Sequence, residues 1–154
     1  APRRNISTGF YRYAGGVLQA PDGVPAELAL DHPFAATVAT MIDADSIHDG
    51  DAVASWLQEA VLPEAVRESG MAMALCFRPM PLPDDAPDNV ARPEADYFRR
   101  RVLILSFVRQ WPCAWDRLPR AAEAALAEAG RGKLVFAGPF IPTIPGTDTY
   151  LDAL

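Results

Sequence analysis

Between Pro33 and Phe140 short apolar runs alternate with two stretches of helical spacing. The run FAATVATMI, Phe34 to Ile42, is β-compatible and lies between Pro33 and the polar DADSIHDGD, which predicts a buried strand. In DGDAVASWLQEAVLPEAVRESG, residues Val53, Trp56, Leu57, Ala60 and Val61 recur at helical intervals and predict an amphipathic helix. Asp49 or Asp51 can accept the backbone N–H groups at its start, and Gly70 can take the left-handed conformation past its end. Pro63 is expected to kink or divide this helix. MAMALCFRPM reads as a second strand, and the acidic, proline-rich PLPDDAPDNVARPEAD as an exposed connection.

The third strand is YFRRRVLILSFVRQW, centred on VLILSFV. A second helix is expected from about Trp115 or Asp116, with Pro119 tolerated in its first turn. Its apolar face carries Leu118, Ala121, Ala122, Ala125, Leu126 and Ala129, and Gly130 and Gly132 end it. KLVFAGPF supplies a fourth strand. The turn-rich start, GFYRYAGG and then QAPDGVP around a short VL pair, reads as a loose hairpin or arm. The organisation expected is an arm over residues 1–32, a domain over 33–141 and an extended tail over 142–154.

The order strand, helix, strand, strand, helix, strand is the split βαβ arrangement of ferredoxin-like α+β folds, with a four-stranded antiparallel sheet. Both helices would cover one side, and strands this apolar cannot leave the other side to water. Dimerisation through the open sheet faces, forming a barrel between two subunits, is the expected remedy.

Composition narrows the partners. The 154 residues are 50% apolar and 22% charged, which suits one globular domain. Fourteen Lys and Arg against twenty Asp and Glu give a net charge of −6, which argues against nucleic acid or an anionic membrane as partner. Two cysteines, without paired Cys or His spacing, fit neither a disulfide scaffold nor a structural zinc site, so a reducing cytoplasm is the expected location. No run approaches the ~20 apolar residues that span a membrane, and Arg3 and Arg4 are followed by no apolar stretch of signal-peptide length. Arg carries the positive charge almost alone, Lys133 being the one lysine, and Ala abounds, a pattern of GC-rich bacterial genomes.

WLQEAVLPEAVRESGMAMALCF, together with the element order, resembles the EthD-like proteins of the dimeric α/β barrel superfamily. Trp56, Leu62, Pro63 and Gly70 match that family's helix motif, whereas its frequent histidine before Leu-Pro falls on Val61. The resemblance implies a dimeric barrel and a small hydrophobic, aromatic or polyketide-like substrate. Any role of the missing histidine does not carry over.

Candidate chemistry is spread along the chain. His48, near Asp43, Asp45, Asp49 and Asp51, is placed as a general acid or base, or else as a solvated loop residue beside helix-capping aspartates. His32 stands at the mouth of the first strand, and Asp43 at its end is a comparable general-base candidate. In the third strand Tyr97, Arg99 and Arg101 share a face, so Arg101 could clamp a carboxylate or phenolate, or pair with the acidic connection, and Tyr97 could position a substrate oxygen.

The second strand puts Ala72, Ala74, Cys76 and Arg78 on one face and Met71, Met73, Leu75 and Phe77 on the other. If the small-residue face lines the barrel, Cys76 and Arg78 become substrate-binding groups. Trp56 completes that set. Phe10, Tyr11 and Tyr13 could close over an apolar ligand, strap a dimer or form an edge strand. Phosphate-loop and GxSxG patterns are absent from the sequence.

The leading expectation is a homodimeric, cofactor-independent and metal-free enzyme performing acid/base chemistry of lyase, cyclase or monooxygenase type on a small hydrophobic molecule. The alternative is a noncatalytic ligand-binding or stress-response dimer, which Val61 favours, with a haem or metal enzyme third.

Overall fold

Alternating side chains organise a single antiparallel sheet in the structure, a computed structural model that describes residues 10–19, 24–45, 49–86 and 99–142. Its strands are β1 Phe10–Leu18, β2 Ala36–Ala44, β3 Met73–Met80, β4 Arg101–Val108 and β5 Gly132–Phe140, in the spatial order β1-β3-β4-β2-β5. The helical segments are α1 Gly50–Trp56 and α2 Leu62–Ser69, joined by a π turn at Leu57–Val61, and α3 Arg117–Ala129. The fold class is α+β, as the pattern predicts.

Among the described residues the sheet has five strands, not four. Residues Phe10–Leu18 pair antiparallel with β3 and add a border strand, the edge role among those open to this aromatic segment. A one-residue bulge hides it from a period-two reading: Tyr13 pairs with Phe77, but the next partners are Gly16 and Leu75. Gly15 inside the bulge has φ +108°, a conformation L side chains rarely adopt.

Local chemistry sets the helix limits. The Asp49 carboxylate accepts from the Asp51 and Ala52 backbone N–H groups at 2.6 and 3.2 Å, capping α1. Pro63 cannot donate a helical hydrogen bond, and the chain accommodates it by widening the preceding turn, where the Leu62 N–H reaches back to the Leu57 carbonyl. Gly70 and Gly130 take left-handed conformations past α2 and α3. The buried residues of α3 are Leu118, Pro119, Ala122 and Leu126, and the stripe is narrower than expected, since Ala121 and Ala129 face solvent.

The main core lies between the helices and the sheet face carrying Ala36, Val38, Ile42, Ala44, Ala74, Cys76, Val102 and Ile104. Small strand residues let the helices sit close. The larger Met73, Leu75, Phe77, Leu105 and Phe107 point the other way, into a second apolar cluster with Ala29 and Phe34. This phase reverses the one that would have lined a cavity with Cys76 and Arg78.

The segment from Val24 to Phe34, with a 3-10 turn at Ala26–Leu28, therefore roofs the β1, β3 and β4 part of the helix-free face. Across β2, β4 and β5, Met41, Leu103 and Phe136 are half-buried and Phe140 is 55% exposed. β5 is itself bulged at Val135, between the Met41–Phe136 and Ile42–Leu134 pairs, and contains Pro139.

Candidate functional site

A cavity of about 220 Å³ opens between the roof and the sheet. Tyr13 from β1, Leu75 and Phe77 from β3, and Ala26, Glu27 and Leu30 from the roof line it. The Tyr13 and Phe77 rings meet edge to face, 5.9 Å apart at 63°. Burial, reinforced by the Glu27 carboxylate, pushes the Tyr13 phenol above its ordinary range, so it remains a neutral hydrogen-bond donor.

The β1 bulge positions this wall. Gln58, on the π turn, donates to the Ala14 carbonyl at 3.2 Å and to the Ala54 carbonyl at 3.1 Å, fastening the bulge to the helical layer. Because the bulge shifts the alternation by one residue, Tyr13, Gly16 and Leu18 share the helix-free face with Phe77, Leu75 and Met73, while Val17 packs into the main core. Two residues unremarkable for function in the sequence, Gln58 and Glu27, thus set one wall and the charge of the cavity. The aromatic segment was the visible signal; Glu27, in a turn-rich stretch, carried none.

The other candidates lie elsewhere. His32 is exposed, meets the Phe34 ring at a tilt with centroids 4.6 Å apart, and lines a separate, more open hollow of about 340 Å³ with Val24, Pro25, Leu28, Asp31 and Pro33. Asp43 and Arg101 form a two-pronged ion pair on the helix-free face, at 2.6 and 3.4 Å, with Met41 Sδ 3.7 Å from the guanidinium. Arg101 thus clamps a carboxylate within its own chain.

Arg78 is 4% exposed and lies on the helix side. It donates to Asp51 Oδ1 and to the Arg99 carbonyl, both at 3.0 Å, and to the Arg101 carbonyl. Arg12 reaches the same Asp51 oxygen at 2.9 Å. The guanidinium also fills the space a side chain at Gly50 would need, so it ties β3, the start of β4 and the first turn of α1 together.

Cys76 is fully buried beneath the helices, and burial pushes its thiol up to about 12, which keeps it protonated at neutral pH. Trp56 packs against the main core, and the Arg131 guanidinium lies 4.9 Å over its ring. His48 and Tyr97 lie outside the described residues. Among the described residues no cluster of three or more His, Cys, Asp or Glu is placed to hold a metal, and no helix is long and apolar enough to cross a membrane.

Compared with models of protein families, with curated proteins and with solved structures, the chain matches none.

Proposed function

We propose that this chain is a noncatalytic ligand-binding module on a ferredoxin-like frame, which takes a small hydrophobic molecule between its sheet and the Val24–Phe34 roof. The observation that carries this reading is the cavity itself, whose described lining is aliphatic or aromatic except for Glu27. Its volume of about 220 Å³ falls below the roughly 300–1,000 Å³ of drug-sized pockets, so the occupant is one or two rings in size. The described acid/base candidates do not converge there: Asp43 is engaged by Arg101, His32 borders another hollow, and Cys76 and Arg78 lie across the sheet.

The strand order β5-β2-β4-β3, read without β1, supports the ferredoxin-like assignment. On the same reading, the apolar strip of Met41, Leu103, Phe136 and Phe140 is where two copies meet.

Indole, a neutral two-ring probe, tests the pocket by isothermal titration calorimetry. Ala26→Phe places a ring in the cavity and is expected to reduce indole affinity at least tenfold while the far-ultraviolet circular dichroism stays unchanged. Equal affinity in a folded Ala26→Phe protein, or no binding to the parent chain, would overturn the reading.

A further inference from the structure

The same cavity carries a mark of the charge it accepts. Among the described residues its lining contains one carboxylate, Glu27, and no lysine, arginine or histidine. Glu27 has no ion-pair partner among the described residues, so its charge is not neutralised within that part of the fold. Beside it stand two aromatic rings, Tyr13 and Phe77, whose edge-to-face arrangement leaves a ring face free of its neighbour. An aromatic face carries partial negative charge, so a cation over it is attracted, and a carboxylate at the rim adds to that attraction. The remaining wall, Ala26, Leu30 and Leu75, is aliphatic and gives a hydrocarbon body its contact. The chain's net charge of −6 favours the approach of cations over anions.

We propose that the ligand is a small hydrophobic amine, bound with its ammonium group between the Glu27 carboxylate and the Tyr13 and Phe77 rings and its apolar body against Leu30 and Leu75. This rests on the ligand-binding reading of the cavity and adds the charge of the occupant. Tyr13 has a defined part in it. Its neutral phenol supplies ring face and a hydroxyl oxygen that accepts from the ammonium, whereas a phenolate would be disfavoured by the adjacent carboxylate. An anionic ligand would place like charges together at Glu27 in a partly desolvated site.

Three probes of one shape separate the outcomes: 2-phenylethylamine, 2-phenylethanol and 3-phenylpropanoate, titrated into the full chain by calorimetry at neutral pH and low salt. The amine is expected to bind about fivefold tighter than the alcohol, the sum of a modest cation–π contact and an exposed charge pair, and the carboxylate weakest. Glu27→Gln is expected to remove the charge-pair share, leaving the amine about twofold tighter than the alcohol, whose own affinity stays unchanged. Raising the salt to about 1 M, where charges are screened within roughly 3 Å, should narrow the gap in the parent chain.

Amine and alcohol binding equally, or an amine preference undiminished by Glu27→Gln, overturns the inference while indole and alcohol binding still support the apolar pocket. Failure of indole and all three probes overturns both.

Discussion

Single side chains here act by closing off backbone groups, and Asp49 does so at the start of α1. Its carboxylate accepts two backbone N–H groups, and these bonds hold its pKa below the ordinary carboxylate range. The folded state binds that proton less readily than the unfolded chain. The stabilisation is therefore present above the unfolded value of roughly 3.9 and is lost as the pH falls through the lower folded value. Asp49→Ala is expected to cost about 1 kcal/mol in urea denaturation at pH 7. The difference from the parent should shrink as the pH falls and the cap loses its charge, since a neutral carboxyl oxygen still accepts these bonds but more weakly; a cost that stays constant with pH would assign Asp49 another role. Arg78 works similarly from inside the fold, giving the Arg99 and Arg101 carbonyls and the Asp51 carboxylate one shared donor.

At the scale of elements, β2 to β5 and both helical regions were legible, because apolar runs bounded by turn residues mark the strands and helical spacing marks the helices. Pro63 announced a break, and the π turn is the form that break takes. β1 was legible only as one of three roles open to its aromatic segment: its bulge at Ala14 and Gly15 interrupts the alternation, and the glycines read as a turn. The facing of β3 was equally hidden, since both of its sides are buried, one under helices and one under the roof. Only packing distance separates them, with Ala74 and Cys76 turned to the bulky helices and Met73, Leu75 and Phe77 to the thinner roof. The candidate site inherited that ambiguity, so its aromatic wall was visible and its carboxylate was not.

The link from the π turn to the bulge makes a prediction at this scale. Gln58→Ala removes the bonds to Ala14 and Ala54. Amide hydrogen exchange around Tyr13 to Gly16 should accelerate in that variant, with a stability loss of about 1 kcal/mol, while exchange in β2 and β4 stays slow. Unchanged exchange in β1 would show that the strand pairing alone holds the bulge.

For the whole molecule, the uneven covering of the helix-free face is the main asymmetry. The roof buries its β1 and β3 side, and the β2 and β5 side keeps half-buried apolar residues that end in Phe140. If two copies meet there, sedimentation equilibrium will give twice the mass of one chain. Phe140→Asp, at a position exposed enough to spare the fold, should return it to a single chain. A parent protein that sediments as a single chain at the highest concentrations tested would remove the dimer.

The two border strands bear on what this protein does when crowded. An unpaired strand edge is a template on which other chains can add, strand by strand, into ribbons. Here β1 carries an extra residue at Ala14 and Gly15, and β5 carries one at Val135 together with a proline that has no N–H to give. A flat, regular ladder is thus offered at neither margin. Along the described margins sideways growth finds no continuous row of donors and acceptors, so crowding alone does not drive this sheet to extend into ribbons.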